Sequence, residues 1–152
     1  AAGSADGNGR NEQPTHMHTR TLLIVEDEAI IAAAESLLFR NNGYDVVTAL
    51  SAEEALAAVR SRAAKPDLVL MDIDLGRGKD GTEAAREMLR EGEMPILFIS
   101  SLAEQEILVK TRDIPSCGYV LKNAGEAALL AAVRSALASR VEPERVGAEF
   151  AR

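Results

Sequence analysis

Five polar side chains stand at the ends of four short aliphatic segments: Glu26 and Asp27 together, then Asp72, Ser100 and Lys122. Carboxylates that share a partly desolvated cleft raise one another's pKa or require a cation. Hard oxygen ligands around a small crevice suit Mg²⁺. A hydroxyl and an ammonium beside a carboxylate-bound metal can hold phosphate oxygens, which leaves one carboxylate as the attacking group. These residue types therefore predict phosphoryl chemistry, provided that the fold brings the four segments together.

The aliphatic segments alternate with helical patterns along the chain. We predict strands over 21–25, 44–49, 68–71, 95–99 and 118–121. Short, continuous apolar runs are typical of strands that are covered on both faces of a parallel sheet. Repeated strand and helix alternation predicts an α/β fold, a doubly wound (βα)5 parallel sheet with the flavodoxin-like strand order 2-1-3-4-5. A ligand of such a sheet lies at the carboxyl ends of the strands, here between the first and the third.

Local patterns predict how the helices begin and which face they bury. Ser51 and Glu54 form a capping box, and Asn123 with Glu126 predicts the start of the last helix. For Glu28, next to the acidic pair, we favour a role as a helix N-cap. The first helix has an apolar stripe made of Ile30, Ala34, Leu37 and Leu38.

Length and composition exclude several classes of protein. The 152 residues fit one domain, and 47% hydrophobic with 27% charged residues is an ordinary globular composition. A formal net charge of −7 argues against direct nucleic-acid binding. We expect a cytoplasmic protein that does not associate with membranes, because one cysteine allows no internal disulfide and no apolar run approaches the roughly 20 residues of a membrane span.

The predicted domain covers residues 19–141. Residues 1–18 lack periodicity and predict a disordered tail, in which His16-Met17 resembles a cloning junction. Residues 142–152 predict a C-terminal tail with no helix-turn-helix pattern and no basic patch. The sequence thus predicts either a stand-alone domain or one cut from a larger protein, in both cases acting through a partner.

Four motifs in order resemble the receiver (CheY-like) domain of two-component response regulators. They are LLIVEDE at 22–28, LVLMDIDL at 68–75, PILFISS at 95–101 and GYVLK at 118–122. The resemblance covers essentially residues 20 to 140. It implies that Asp72 accepts a phosphoryl group from a phosphohistidine on a sensor histidine kinase or a histidine phosphotransfer protein.

The resemblance also implies roles for the other polar residues. Asp27 and Asp72 would ligate Mg²⁺, as would the backbone carbonyl of Asp74, and Glu26 would act through bound water. Lys122 and Ser100 would each hold a phosphoryl oxygen. In receivers the hydroxyl moves towards the phosphoryl group while an aromatic residue rotates inwards, and the matching pair here is Ser100 and Tyr119. A half-exposed strand aromatic is an equal interpretation of Tyr119.

Three features depart from the receiver pattern. Asn123 stands where receivers usually have a proline, often after a cis peptide bond. The loop after Asp72 is about one residue longer than in the simplest receivers. Asp74 adds a carboxylate near the phosphoacceptor, for which we expect an effect on the lifetime of the phosphorylated form. Pairing through the fourth helix, fifth strand and fifth helix, as receivers often show, is left open.

Two other functions remain open at this point. Asp72-Ile73-Asp74 matches the Asp-x-Asp motif of haloacid-dehalogenase-type phosphatases, with Asp72 as nucleophile and Asp74 as general acid/base. That motif normally ends the first strand and precedes a threonine, whereas here it ends the third and precedes Leu75. A receiver-like interaction module that does not phosphorylate is the other alternative, although all the key side chains are present.

Overall fold

The computed structural model describes residues 19–61, 65–76 and 78–139. The predicted tails, 1–18 and 142–152, lie outside these residues. Within them, strands and helices alternate as the sequence predicts. The elements are β1 (Thr21–Val25), α1 (Ala29–Asn41), β2 (Asp45–Ala49), α2 (Ala52–Arg60), β3 (Leu68–Asp72), α3 (Gly81–Glu91), β4 (Ile96–Ser100), α4 (Glu104–Thr111), β5 (Tyr119–Leu121), a short 3-10 helix (Lys122–Ala124) and α5 (Glu126–Ala138).

The five strands form one sheet in the order β2-β1-β3-β4-β5, and every neighbouring pair is parallel. The predicted flavodoxin-like order is therefore confirmed. Val25 of β1 lies opposite Met71 of β3, so the residues that follow them, Glu26 and Asp72, meet at the same edge. Asp72 in turn lies opposite Ile99 of β4. The register thus carries the ends of four strands to one place.

Two separate hydrophobic cores cover the two faces of the sheet. Along β1, Leu23 and Val25 enter one core while Leu22 and Ile24 enter the other, because successive side chains of a strand point to opposite faces. Helices α2, α3 and α4 complete the first core, through side chains that include Leu56, Met88 and Ile107. Helices α1 and α5 complete the second, through side chains that include Phe39, Leu129 and Val133. Burial on both faces explains why the strands read as continuous apolar runs.

The predicted apolar stripe of α1 is partly wrong. Ile30 is 86% exposed and Leu37 is 61% exposed, while the buried residues of the helix are Ala32, Ser36 and Phe39. The ring of Phe39 is fully buried and packs edge-on against Tyr44 at 5.8 Å between centroids. Burying this ring removes more apolar surface from water than burying either aliphatic side chain would, so it determines the rotation of the helix.

The helix starts differ from the predictions in detail. Ser51 accepts the Glu54 N–H at 3.0 Å, as predicted, but the Glu54 carboxylate accepts the N–H of Leu50 at 2.8 Å instead of that of Ser51. Glu28 is the N-cap residue of α1, as predicted, and it has an extended conformation. Its side chain makes no capping hydrogen bond.

The last helix begins after a glycine and not at Asn123. Asn123 lies in the 3-10 helix, and α5 starts at Glu126 with Gly125 at its N-cap position. Gly125 has a φ of 94°, a conformation that favours glycine and separates the two helices. The Lys122–Asn123 peptide bond is trans. None of the helices in the described ranges has the length and apolar character that a bilayer span requires.

Candidate functional site

Six of the predicted site residues meet at the carboxyl edge of the sheet. Asp72 and Ser100 are the last residues of β3 and β4, and Lys122 directly follows β5. Glu26 and Asp27 follow β1, and carboxylate oxygens of Glu26, Asp27 and Asp72 lie within 4.8 Å of one another. Asp74, in the loop after β3, is the sixth. We call Glu26, Asp27 and Asp72 the acidic cluster.

Lys122 joins two members of this cluster. Its Nζ atom lies 2.9 Å from Asp72 Oδ2 and 3.3 Å from Glu26 Oε1. Asp72 and Glu26 are both buried. Burial of Lys122 opposes its charge, but hydrogen bonds and charges from Asp72 and Glu26 outweigh that effect and raise the pKa of Lys122. The lysine therefore stays protonated at the mouth of the cluster.

Asp74 connects the other side of Asp72 to Ser100. Its backbone N–H donates to Asp72 Oδ1 at 3.0 Å, and its side-chain Oδ2 accepts the Ser100 hydroxyl at 3.2 Å. Ser100 Oγ also accepts the N–H of Leu102 at 3.0 Å. The buried hydroxyl of Ser100 thus has a carboxylate acceptor on Asp74, and both oxygens of Asp72 accept hydrogen bonds.

Glu26 supplies the observation that tests a metal at this site. Its Oε2 atom is buried and has no hydrogen-bond partner among the described residues. Burial and the nearby Asp72 carboxylate raise the pKa of Glu26 to about 9. A carboxylate oxygen left without a partner, next to two further carboxylates, is a donor set that suits a hard divalent cation. The residues present therefore fit Mg²⁺.

Two glycines hold the loop after β3 close to the cluster. The Gly81 N–H donates to the Ile73 carbonyl at 2.9 Å, and a Cβ on Gly81 would overlap the Asp72 backbone. Gly76, with a φ of 55°, passes close to the exposed carboxylate of Asp27. At Gly81 the close approach to backbone requires a residue without a Cβ, and at Gly76 the positive φ favours glycine. These glycines therefore hold the loop after Asp72 against the Asp72 backbone and near the Asp27 carboxylate.

Tyr119 lies on the adjoining strand. It is the first residue of β5, it pairs with Phe98 of β4, and its half-buried ring packs against the core that α2, α3 and α4 cover. Tyr119 is thus next to the edge where Ser100 and Lys122 lie, but it belongs to the packed layer behind them.

Sequence reasoning missed Glu35. This residue of α1 lines, together with Lys122, a cavity of about 260 Å³ between α1 and the start of α5. Its Oε2 atom is buried without a hydrogen-bond partner among the described residues. Burial raises the pKa of Glu35 to about 7, although the charge of Lys122 partly opposes this. The sequence signal is that Glu35 lies three residues after Ala32 and four before Phe39, which places it on the same face of α1. That face is recognised as the buried one only once Ala32 and Phe39 are known to be buried.

Comparison with known proteins agrees with this fold and this arrangement. A family model described as the response regulator receiver domain matches residues 22–134. The transcriptional regulatory protein PdtaR of Mycobacterium tuberculosis is 31% identical over 119 residues, which are 78% of this chain and 57% of PdtaR. The phyllosphere-induced regulator PhyR of Methylorubrum extorquens is 28% identical over 114 residues, which are 75% of this chain and 42% of PhyR. The chain therefore spans about half the length of these two relatives.

Solved structures give the same picture. The N-terminal domain of a response regulator/sensory box/GGDEF three-domain protein from Carboxydothermus hydrogenoformans is 37% identical with a TM-score of 0.72, covering 79% of this chain and 95% of that one. A CheY-like receiver domain protein from Methanospirillum hungatei is 27% identical with a TM-score of 0.71, covering 80% and 96%. On the strength of the family match and of these relatives, the chain belongs to the response regulator receiver domains of two-component signalling.

Proposed function

We propose that this receiver domain accepts a phosphoryl group on Asp72 in a Mg²⁺-dependent reaction. The donor is a phosphohistidine on a sensor histidine kinase or a histidine phosphotransfer protein. The observation that carries the proposal is the pairing of the buried Asp72 carboxylate with Lys122 at 2.9 Å, inside a cluster of three carboxylates. A nucleophile, a cationic side chain and a metal-binding set at one sheet edge are the components that phosphoryl transfer requires.

Asp72 is the attacking group. One of its carboxylate oxygens forms a bond to phosphorus as the bond from phosphorus to the donor imidazole breaks, and the imidazole leaves with the electron pair. Asp27, Asp72 and the backbone carbonyl of Asp74 would hold Mg²⁺, with Glu26 acting through water. The metal supplies positive charge that offsets the repulsion between the carboxylates and the incoming phosphoryl group.

Lys122 and Ser100 bind the transferred phosphoryl group, and the movement of Ser100 begins the conformational change. The Lys122 ammonium binds one phosphoryl oxygen. The Ser100 hydroxyl exchanges its acceptor on Asp74 for another phosphoryl oxygen, and Tyr119 moves into the space that this leaves. A new local charge thereby changes the packing of β5 and its neighbours, which is how a charge-driven switch signals to a partner.

The surfaces around the site support docking to such partners. The exposed Ile30 side chain lies near the start of α1, so we place the kinase or phosphotransfer protein along α1, near Ile30, Ile31 and Ala34. On α4, Leu108 is 52% exposed and Val109 is 64% exposed, and β5 is an edge strand. These features support a homodimer through α4, β5 and α5. The net charge of −7 favours protein partners over nucleic acid, and a cytoplasmic location is consistent with this role.

The two alternative functions are less well supported. A phosphatase of the haloacid dehalogenase type would need Asp74 as a general acid/base, whereas the Asp74 side chain accepts a hydrogen bond from Ser100. An interaction module without phosphorylation would leave the acidic cluster and Lys122 unused. Receiver domains are in general signalling domains and not enzymes, so we propose a phosphoacceptor domain that assists its own stoichiometric phosphorylation and its own dephosphorylation.

Intact-mass measurement after incubation with acetyl phosphate and Mg²⁺ tests the proposal. We expect one phosphoryl adduct on the wild type, none after Asp72→Asn, and none when the metal is chelated. Asp113→Asn is the matched control, because Asp113 is a surface aspartate paired with Arg86 at 3.0 Å. Full labelling of Asp72→Asn would exclude Asp72 as acceptor. Multiple-turnover hydrolysis of a phosphate monoester would favour the phosphatase, and no adduct with Mg²⁺ bound would favour the interaction module.

A further inference from the structure

Glu35 places a carboxylate near Lys122 that the proposed phosphoryl transfer does not use. Its Oε2 atom is buried and has no hydrogen-bond partner in the described part of the chain. Leaving a buried polar atom unpaired is unfavourable, so a donor that reaches it in another state of the protein would relieve that penalty. Most of the cavity wall offers no donor, because it consists of the aliphatic side chains Ile31, Ala34, Leu38, Ile99, Leu121 and Leu129.

Lys122 lines the same cavity and is the one cationic side chain among its lining residues. Its charge lowers the pKa of Glu35, in opposition to burial. A lysine ammonium is carried on a flexible four-carbon stem, so Nζ can change partners while the backbone of the 3-10 helix stays in place. Glu126 also lines the cavity, but it is exposed and can be solvated.

A cation bound at the acidic cluster would displace Lys122 by electrostatic repulsion. Asp72 Oδ1 accepts the Asp74 N–H and Oδ2 accepts Lys122 Nζ, so each carboxylate oxygen of the nucleophile is engaged. An ammonium on Oδ2 withdraws electron density from the atom that would attack phosphorus. A divalent cation bound to the same carboxylates would repel Nζ, since like charges at short range disfavour each other.

We propose that Glu35 is a positioning residue that receives the Lys122 ammonium when Mg²⁺ occupies the acidic cluster, which frees Asp72 Oδ2 to attack. The inference rests on the proposed function, since it requires a metal at that cluster. Before the metal binds, Lys122 is hydrogen-bonded to Asp72 and Glu26. After the metal binds, the Lys122 ammonium pairs with the Glu35 carboxylate. Once Asp72 is phosphorylated, the negative charge of the phosphoryl group attracts the ammonium back to Asp72. No bond between heavy atoms is made or broken in this step, and the proton that Glu35 carries passes to solvent when the ammonium arrives.

Carboxyl-carbon NMR titration of Glu35, with and without Mg²⁺, tests this exchange independently of activity. In the wild type we expect Mg²⁺ to weaken proton binding to Glu35 by about 100-fold, because the ammonium then stabilises the ionised form. In Lys122→Met we expect a change below about threefold. An equal weakening in both proteins would overturn the inference, because it would show that the charge of Mg²⁺ acts on Glu35 without the lysine. The Glu126 carboxyl is the internal control.

A crystal structure of the Mg²⁺-loaded wild type provides the second measurement, which does not depend on the folding of a variant. We expect Lys122 Nζ within hydrogen-bond distance of the Glu35 carboxylate, at about 3 Å. Lys122 remaining on Asp72 with Mg²⁺ bound would overturn this inference and leave the proposed function intact. If the wild type binds no Mg²⁺, both are overturned.

The rate of labelling by acetyl phosphate adds a kinetic comparison. Glu35→Gln should slow phosphorylation of Asp72 by about 5- to 10-fold, because losing one charge-assisted acceptor for the ammonium raises the activation free energy by an amount that corresponds to roughly that change in rate. Glu126→Gln, in the same cavity wall, should change the rate by less than about twofold, as expected for an exposed carboxylate. Equal rates for Glu35→Gln and the wild type would count against the positioning role.

Discussion

The Ser100 hydroxyl donates a hydrogen bond to Asp74 Oδ2 at 3.2 Å. The backbone N–H of the same aspartate donates to Asp72 Oδ1 at 3.0 Å. Asp74 is therefore in contact with both the proposed phosphoacceptor and the proposed switch residue. In this arrangement its carboxylate competes with a phosphoryl group for the Ser100 hydroxyl, and it adds negative charge where a phosphate donor must approach.

Asp74→Ala should speed labelling by acetyl phosphate by about 3- to 10-fold, because it removes a competing acceptor and a like charge. It should also change the decay rate of the phosphorylated protein. Both rates can be followed by intact mass. In a Ser100→Ala background the part of the gain that comes from the hydroxyl should disappear. Unchanged labelling and decay in Asp74→Ala would remove Asp74 from the mechanism.

Gly81→Ala should destabilise the protein by about 3 kcal/mol, because the added Cβ meets backbone atoms that cannot rotate away. That Cβ would lie 2.8 Å from the Asp72 carbonyl carbon and 2.9 Å from Ile73 Cα. Gly92→Ala is the matched control, since no heavy atom lies within 4 Å of its added Cβ. Urea unfolding of both variants measures the difference, and similar midpoints would contradict the close approach at Gly81.

Ile107→Ala should loosen α4 more than the rest of the fold. Ile107 is the only buried residue of this eight-residue helix, so its truncation should cost about 2–4 kcal/mol. Exposed pairs such as Lys110 with Asp80, at 3.2 Å, hold the helix only weakly. Amide hydrogen exchange should show faster exchange in α4, whereas Val109→Ala, at an exposed position, should leave it nearly unchanged. Equal protection of α4 in both variants would contradict this.

Glu35 should make stability fall as the pH rises from about 4.5 to 7. Burial holds its pKa in the folded protein at about 7, above its ordinary value of 4.5, so the folded state binds more protons than the unfolded state in this window. The wild type should therefore lose about 1–3 kcal/mol relative to Glu35→Gln between pH 5 and pH 8, allowing for partial solvent screening. Urea unfolding at the two pH values measures this difference in stability. For Glu126→Gln, the difference from the wild type should be the same at both pH values. A pH-independent difference between wild type and Glu35→Gln would exclude a raised pKa.

The order of the strands and the convergence of the site residues were predictable from the sequence. Short aliphatic runs, each ending in a polar residue, define strands that must be buried on both faces, and right-handed connections leave few ways to arrange five of them. Once Glu26, Asp72, Ser100 and Lys122 each end a parallel strand, their meeting at one edge follows from the topology. This part of the outcome depends on local composition and chain chirality, which are properties of the sequence.

The rotation of α1 and the partners of each polar atom were not predictable in this way. The alanine-rich helix offers several apolar faces, and only packing against the sheet selects the one that buries Phe39, exposes Ile30 and sequesters Glu35. The choice of Asp74 as the acceptor for Ser100, and of Gly125 as the start of α5, likewise depends on distances between segments far apart in the chain. Local composition is enough to predict which chemical groups reach the site, because strand ends are encoded locally. Which of these groups touch one another depends on the folded chain, because hydrogen bonds and burial require ångström-scale packing that no local pattern specifies.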